Sequence, residues 1–355
     1  MAAERMTWAI LGAGPIAVAF LQGLAPMGDR AAVVASRRPE RAQALAARHR
    51  LRAASYEDAV HDPSVQAIYI ATPPALHEEH ARLAIAAGKA VLIEKPFALD
   101  EAAAARIRAG ARAAGVFCME AMWTRFQPLL GAIRARIDAG ELGEIRQFEG
   151  AFCGADRPDP ALSLFDPARG GGALMHRGVY ALSLARYLLG PVSDLHARAR
   201  IGVTGVDEDC VLSLRHASGA LSVVRASLSS NGPNGMIIQG SAGTLRVEPP
   251  IYRPLGARLY TTRPREGGAG GSAGGLRGSA LAHRAFQRLG PALRGLRPGG
   301  TALRAPYAGN GYGHQVAAVE AALAEGRTES PFMPLDESVE IMGLIDAARA
   351  QWSAR

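Results

Sequence analysis

The chain has 355 residues, of which 48% are apolar and 20% are charged. This length and balance favour two globular domains, each with its own core, and exclude a fibrous or largely disordered protein. No apolar run reaches the roughly 20 residues of a membrane helix, and the first residues lack the core of a signal peptide. We therefore expect no membrane partner and a cytoplasmic location.

The net charge of +8 is concentrated in one part of the sequence. Between Arg253 and Arg304 there are ten arginines and one acid, Glu266, so this segment carries +9 and the remainder −1. Repeated glycines interrupt the segment, which predicts a flexible insertion at about residues 262–304 that is mobile from Gly267 to Gly300. A nucleic-acid groove would spread its arginines over helices and strands. We expect no nucleic-acid partner.

Cys118, Cys153 and Cys210 are odd in number and far apart in the sequence. Zinc sites and redox dithiols need paired spacings that these residues lack. The sequence predicts reduced thiols and no metal site.

A glycine-rich turn follows the first apolar run, Trp8–Leu11. It reads Gly12, Ala13, Gly14, Pro15, Ile16, Ala17 and leads into a segment of helical composition. Gly12 permits a tight turn, Gly14 lets the backbone approach a pyrophosphate at the helix N-terminus, and small Ala17 allows close packing. The turn predicts a dinucleotide site.

Alternating strands and helices continue to about residue 120. Strands are predicted at Trp8–Leu11, Ala32–Ala35, Ala67–Ala71, Ala90–Ile93 and Val116–Met119. Helices are predicted at Ala17–Leu24, Pro39–Arg48, Leu76–Ala87 and Asp100–Ala114, the last capped by Asp100 and ended by Gly115. This alternation predicts a doubly wound parallel sheet, a Rossmann domain, over residues 1–122.

The end of the second strand indicates which nicotinamide cofactor is used. An NAD site would place an acid there to accept a hydrogen bond from the ribose 2′-hydroxyl. This sequence has Ser36, Arg37 and Arg38 instead, which suit a 2′-phosphate. We expect NADP(H) as the cofactor.

Two further loops leave strand ends, where ligands bind in such sheets. One runs from Thr72 and Pro73 to His77, and the other carries Glu94 and Lys95. Lys95 is notable because the chain contains 38 arginines and only two lysines. A lysine can lose its proton near neutrality when it is buried, unlike an arginine.

The second half has the two-residue period of strands. Strands are predicted at Ile145–Cys153, Leu195–Val203, Cys210–His216, Leu221–Leu228, Met236–Gln239 and Thr244–Val247. Helices are predicted at Pro128–Ala139, Gly178–Leu189, His314–Ala324 and Asp336–Trp352. This pattern predicts an α+β domain at residues 123–355 with a mostly antiparallel open sheet, whose free face would serve homodimerisation.

Several motifs resemble the glucose-fructose oxidoreductase and inositol dehydrogenase family. They are the glycine turn, the Thr-Pro loop ending in His77, and Glu94-Lys95-Pro96. Residues 119–126, 165–167, 170–174, 178–180 and 309–312 are similar to the branch with dimeric dihydrodiol and NADP-dependent D-xylose dehydrogenases. The resemblance implies hydride transfer between NADP(H) and a secondary alcohol or hemiacetal of a sugar, sugar-like polyol or cyclic diol.

The resemblance also implies roles for individual residues. Lys95 and Tyr180 would handle the proton, because a phenol next to an ammonium is a suitable acid–base group. Trp123 and Arg125 would line the cleft near the nicotinamide and the substrate.

His176 departs from the branch, which usually has Asp four residues before its Tyr. A neutral imidazole accepts one hydrogen bond but cannot stabilise a lysinium as a carboxylate does. Because imidazole titrates near neutral pH, we expect the charge of His176 to change there. Arg169 is a second departure. Both keep open an alternative function, a catalytically impaired cofactor-binding protein with a sensing or structural role.

Overall fold

The structure, a computed structural model, describes residues 6–28, 30–261 and 300–353. Residues 262–299 of the predicted mobile insertion lie outside these ranges. The prediction that the insertion extends to residue 304 is wrong, because Thr301–Arg304 forms an edge strand. Its Leu303 is only 8% exposed and packs into the core.

The first half folds around a parallel sheet, as predicted, but the sheet has six strands where five were predicted. Its strands are β1 Trp8–Leu11, β2 Ala31–Ala35, β3 Arg52–Ala54, β4 Ala67–Ile70, β5 Ala90–Glu94 and β6 Cys118–Ala121. The helices are α1 Pro15–Leu24, α2 Pro39–His49, α3 Tyr56–His61, α4 His77–Ala86 and α5 Glu101–Ala114. The strand order is β3-β2-β1-β4-β5-β6, so the order reverses between β1 and β4. A ligand crevice is expected at that reversal.

Burial explains why this sheet could be predicted. All residues of β1, β4, β5 and β6 are buried, as expected when helices cover both faces of a parallel sheet. The predicted cap of α5 is present, since the side chain of Asp100 accepts a hydrogen bond of 2.7 Å from the N–H of Ala103.

The second half contains an eight-stranded, mostly antiparallel sheet. Its strands are β7 Ile145–Cys153, β8 Val192–Ile201, β9 Asp207–His216, β10 Leu221–Ser227, β11 Asn234–Gly240, β12 Gly243–Val247, β13 Gly256–Thr261 and β14 Thr301–Arg304. Their order is β14-β13-β12-β11-β7-β10-β9-β8. Strand β7 pairs in parallel with β10 and antiparallel with β11.

Helices cover one face of this sheet. Those that pack on it are α7 Val179–Leu189, which follows a π-helical turn at Leu174–Gly178, and α9 Leu335–Ser353. Helix α6 Pro128–Asp138 contacts the edge strand β14, and α8 Tyr312–Ala324 packs on α1 of the first half. Helix α7 packs on β7 and β10, and α9 packs on β8 and on α5. No helix within the described ranges has the length and hydrophobicity of a membrane span.

Candidate functional site

The glycine turn between β1 and α1 opens the cleft. Gly12 has φ +120°, and a Cβ atom there would lie 2.6 Å from the carbonyl oxygen of Ala71, so this approach requires glycine. A Cβ atom at Gly14, the residue that precedes α1, would meet no protein atom within 4 Å. The N-terminus of α1 therefore borders open space, and a helix N-terminus is suited to an anion.

A cleft of about 780 Å³ runs from this turn to the end of β5. The predicted residues that line it are Gly12, Gly14, Pro15, Ile16, Ser36, Arg37, Arg38, Thr72, Pro73, Glu94, Lys95 and His176. Ala17 is fully buried beneath the turn. The cleft is also lined by Arg41, Tyr56, Leu162 and Arg169, which the sequence did not single out as ligand-binding residues.

The end of β2 forms a basic part of the wall. Arg37, Arg38 and Arg41 line it, and the backbone N–H of Arg37 donates a hydrogen bond of 3.0 Å to the hydroxyl of Tyr56. Glu94, at the other end, is the sole acidic residue among the described residues that line the cleft. This wall attracts an anionic group and repels none.

His77 joins two of the loops but does not reach the cleft. Its imidazole is fully buried, with Nε2 2.8 Å from the carbonyl oxygen of Thr72 and Nδ1 3.0 Å from that of Pro96. Burial lowers its pKa to about 4. The residue predicted to bind cofactor therefore fixes the spacing of the Thr72 and Lys95 loops instead.

Lys95 lies where the two domains meet. Its Nζ donates a hydrogen bond of 3.1 Å to the carbonyl oxygen of His176 and lies 5.0 Å from the ring centroid of Tyr180. The carboxylate of Glu94 accepts hydrogen bonds from the Tyr69 hydroxyl and the Lys95 backbone N–H. Burial lowers the pKa of Lys95, and the charge of Glu94 opposes this shift.

Tyr180 stands behind Lys95 in an aromatic layer. Its hydroxyl accepts a hydrogen bond of 3.3 Å from Trp123 Nε1, and its ring lies 6.0 Å from Phe152 and 6.1 Å from Tyr252. Burial raises its pKa well above the ordinary value, and the charge of Glu94 adds to the shift. The structure thus brings together Lys95, Tyr180 and Trp123, although Trp123 supports Tyr180 rather than lining the cleft.

His176 lies in the π-helical turn and is one of the residues that line the cleft. Burial, followed by the charges of Lys95 and Arg177, lowers its pKa to about 3. The expected charge change near neutral pH is therefore wrong, because the cations and the loss of water disfavour imidazolium. Nε2 is buried and has no partner among the described residues, while a backbone hydrogen bond to Gly170 engages the ring. A neutral imidazole in this state offers Nε2 as a hydrogen-bond acceptor.

Arg125 does not occupy the position expected for it. Its guanidinium is buried and donates to Glu337 Oε2 at 2.6 Å, to Ser183 Oγ at 2.9 Å and to the Ser183 carbonyl oxygen at 2.8 Å. These bonds direct the side chain away from the cleft and toward α9. In this structure Arg125 is thus a buried ion-pair residue that does not line the cleft.

Arg169 holds a segment that covers part of the cleft. Its side chain donates to Asp166 Oδ2 at 2.6 Å and to the carbonyl oxygens of Ala161 at 2.9 Å and Pro160 at 3.1 Å. Leu162 in this segment lines the cleft and is 50% exposed. The unusual Arg169 thus shapes the wall opposite the glycine turn.

Sequence reasoning missed three residues around the site. Tyr56 belongs to the short β3–α3 region, and its ring centroid lies 4.4 Å from that of His80, whose Nδ1 is 3.0 Å from Thr72 Oγ1. The only local signal was Ser55, which caps α3. Nothing in the local sequence marks Phe152 and Tyr252 as site residues, because they come close to Tyr180 only in the folded structure.

The buried imidazoles predict a loss of stability in acid. His77 and His176 stay neutral in the folded protein, whereas in the unfolded chain each binds a proton below about pH 6.5. Their contribution is therefore absent above that pH and becomes destabilising as pH falls toward 4, by about 3 kcal/mol for each group. We expect His176→Gln to flatten the pH dependence of the free energy of unfolding between pH 6.5 and 4.

Urea unfolding at several pH values measures the slope of the free energy of unfolding against pH. His196→Gln is the control, because its side chain is 78% exposed on β8. Equal slopes for wild type and His176→Gln would show that the ring is protonated in the folded state.

Two family models match most of the chain. One, described as an oxidoreductase family with an NAD-binding Rossmann fold, matches residues 6–122. The other, the GFO/IDH/MocA C-terminal domain, matches residues 131–246. Together they cover the parallel sheet and the second sheet from β7 to most of β12.

Curated relatives agree with these matches. The trans-1,2-dihydrobenzene-1,2-diol dehydrogenase of Mus musculus is 34% identical over 251 residues, which cover 68% of this chain and 74% of that protein. The NADP(+) scyllo-inositol 2-dehydrogenase of Bacillus subtilis is 33% identical over 256 residues, 70% of this chain and 77% of that protein.

Solved structures share the fold over nearly the whole length. A levoglucosan dehydrogenase in complex with NADH and levoglucosan has a TM-score of 0.80 at 21% identity and covers 99% of this chain and 98% of its own. The aldose–aldose oxidoreductase of Caulobacter crescentus has a TM-score of 0.80 at 24% identity and covers 99% of both chains. With the expected sheets in place and the family models matching residues in both of them, the chain belongs to the GFO/IDH/MocA family of oxidoreductases.

Proposed function

We propose that this protein is an NADP-dependent oxidoreductase acting on a secondary alcohol or hemiacetal carbon of a sugar, sugar-like polyol or cyclic diol. The observation that carries the proposal is the continuous cleft from the glycine turn to Lys95, with Tyr180 directly behind Lys95. The names of the relatives, a diol and an inositol dehydrogenase, support the same substrate class.

The residues present fit a dinucleotide. The open space at Gly14 suits a pyrophosphate, and Ser36, Arg37, Arg38 and Arg41 would hold a 2′-phosphate. A nicotinamide bound beyond them would accept or return the hydride. Thr72, Pro73 and Glu94 would then flank the nicotinamide end.

Lys95 and Tyr180 would move the proton of the reacting hydroxyl. Burial shifts their pKa values in opposite directions, down for Lys95 and up for Tyr180, so Lys95 loses its proton first as pH rises. The pair therefore supplies a base at Lys95 and a hydroxyl donor at Tyr180. When an alcohol is oxidised, its proton would pass to the Lys95 amine; in reduction the same proton would return to the carbonyl oxygen.

His176 would position the substrate. Its unpartnered Nε2 would accept a hydrogen bond from a second substrate hydroxyl, as a neutral counterpart of the carboxylate expected from the resemblance. This acceptor favours turnover over the alternative, a cofactor-binding protein without activity. Tight cofactor binding with no turnover on any polyol would reverse that preference.

The glycine turn gives a matched test of cofactor binding. Gly14→Ala adds a methyl group only to the open space, so we expect unchanged thermal stability and at least tenfold weaker NADPH binding. Gly12→Ala should instead lower the stability, because its Cβ meets the Ala71 carbonyl at 2.6 Å. Titration of NADPH fluorescence and thermal unfolding measure the two effects. If Gly14→Ala bound NADPH with unchanged affinity, the pyrophosphate would not bind next to Gly14.

The preference for NADP(H) over NAD(H) depends on the arginines at the end of β2. We expect NADP(H) to bind more tightly than NAD(H), and Arg37→Ala to narrow the difference by about 1 to 3 kcal/mol, the range of a charge-assisted contact. Arg48→Ala removes the same charge from an exposed position on α2 and is the control. Equal affinities of the unmutated protein for both cofactors would refute the preference.

Turnover tests the chemistry. The protein would be screened with NADP+ against aldoses, scyllo-inositol, levoglucosan and trans-1,2-dihydrobenzene-1,2-diol. On an active substrate we expect Lys95→Met and Tyr180→Phe each to lower kcat by about two to four orders of magnitude while cofactor affinity is kept. Tyr187→Phe, on the same helix but outside the cleft, should retain activity. Near-normal kcat in either site variant would remove that residue from the mechanism.

We also propose that the protein forms a homodimer through the uncovered face of the eight-stranded sheet. Apolar side chains there are solvent-exposed in a single chain, Val211 by 48% and Val223 by 37%. The double variant Val211→Glu, Val223→Glu should halve the mass measured by light scattering, whereas Val203→Glu, at a 93% exposed turn position, should not. A monomeric unmutated protein would contradict the proposal.

A further inference from the structure

Glu120 is a buried carboxylic acid to which the proposed function assigns no role. It lies in β6, is 1% exposed, and neither side-chain oxygen has a hydrogen-bond partner in the geometry of the described residues. A buried carboxylate without donors is costly unless opposite charges stand nearby. The surroundings of Glu120 therefore indicate why it is there.

The first opposite charge is Lys95, on the cleft side. Strands β5 and β6 are parallel neighbours, with Glu94 in register with Ala121 and Ile93 with Glu120. The end of β5 thus brings the Lys95 ammonium within electrostatic range, and the negative charge of Glu120 raises the pKa of Lys95 against the effect of burial. Tyr180, from α7, faces the same carboxylate, whose charge adds to the rise in its pKa.

The second opposite charge is Arg125, on the side away from the cleft. It interacts with Glu120 and donates to Glu337 Oε2 at 2.6 Å. The hydroxyl of Ser338, in α9, also faces Glu120. Positive and negative side chains therefore alternate from the cleft to α9 in the order Lys95, Glu120, Arg125, Glu337.

Other charged groups also surround Lys95. The charge of Glu94 raises the pKa of Lys95 in the same direction as Glu120 and more strongly, and its carboxylate already accepts hydrogen bonds from Tyr69 and from the Lys95 backbone. Arg177 lowers the pKa of Lys95, and His176 is neutral and offers its carbonyl oxygen. Glu120 is held less firmly: the Ser338 hydroxyl lowers its pKa, but neither of its oxygens has a partner that meets hydrogen-bond geometry in the described residues.

We propose that Glu120 is a positioning residue whose buried carboxylate stabilises the ammonium form of Lys95 and so raises the pH above which Lys95 can act as a base. The inference rests on the proposed function only for the catalytic role of Lys95. The electrostatic coupling of the two side chains does not depend on that role.

The small number of lysines allows a direct measurement. Protein labelled with ¹³Cε-lysine gives signals from Lys95 and Lys89 alone. Lys89 donates hydrogen bonds to the carbonyl oxygens of Asp62 and Val65 and serves as the internal control. In Glu120→Gln we expect the titration midpoint of Lys95 to fall by about one pH unit or more, as for loss of an adjacent opposite charge, with Lys89 unchanged.

Matched variants separate charge from packing. Glu208→Gln changes another buried glutamate, 5% exposed with one unpartnered oxygen, and should leave the Lys95 midpoint unmoved. Glu120→Asp keeps the negative charge, so the titration midpoint of Lys95 should stay close to its value in the unmutated protein. An unmoved Lys95 midpoint in folded Glu120→Gln overturns the proposal.

The unmutated protein provides a test that needs no variant. Burial raises the pKa of Glu120 to about 7, so the Lys95 signal should show a first inflection near that pH, which Lys89 lacks. A single-step Lys95 curve overturns the proposal even if Glu120→Gln fails to fold.

Activity distinguishes this inference from the proposed function. On an active substrate, the acid limb of the kcat/KM profile should move in Glu120→Gln to lower pH with the Lys95 midpoint. A shifted midpoint with no turnover on any polyol supports the coupling and counts against the proposed function. If Glu120→Gln turns over substrate and shifts the Lys95 midpoint but leaves the acid limb of the kcat/KM profile unmoved, Glu120 does not act on the reaction through Lys95, and the positioning role is overturned.

Discussion

The burial of the Lys95 amine constrains the rest of the site. An ammonium taken out of water must recover its solvation from the protein, and here it does so from a carbonyl oxygen in the π-helical turn, the face of an aromatic ring and nearby carboxylates. These partners come from the first sheet and from the helical elements of the second half, so Lys95 also connects the two halves of the chain. The loop that carries it is held at a fixed distance from the Thr72 loop by His77.

The fold could be predicted wherever an element buries a continuous or alternating apolar pattern. The parallel sheet was predicted in this way, and its match to family members confirms it. The regions that were missed have weaker patterns: β3 and α3 are short and partly exposed, and β13 and β14 lie on either side of a glycine- and arginine-rich stretch. Tertiary pairing, which stabilises such segments, leaves little trace in a local sequence window.

The residues of the candidate site also differ in how well the sequence predicts their positions. Residues at strand ends, such as Gly12, Arg37 and Lys95, could be placed because parallel strands present their carboxyl ends to one crevice. Trp123 and Arg125 lie one turn beyond β6, and sequence position alone could not reveal that the short helical turn directs them away from the crevice. The state of His176 depends on surrounding charges that no motif encodes. The catalytic and cofactor roles of all these residues stay predictions.

The position of β7 has a consequence for folding kinetics. Strands β8 to β10 are joined by short connections, and so are β11 to β13, so each group can form from local contacts. Strand β7 lies between the two groups, yet it precedes both in the chain and pairs with β10 across the whole of α7, β8 and β9. Closing so long a loop is entropically expensive, and contacts of this kind slow folding. The eight-stranded sheet can therefore be completed only after its last strands have been synthesised, and the edges of β10 and β11 stay unpaired until β7 joins them.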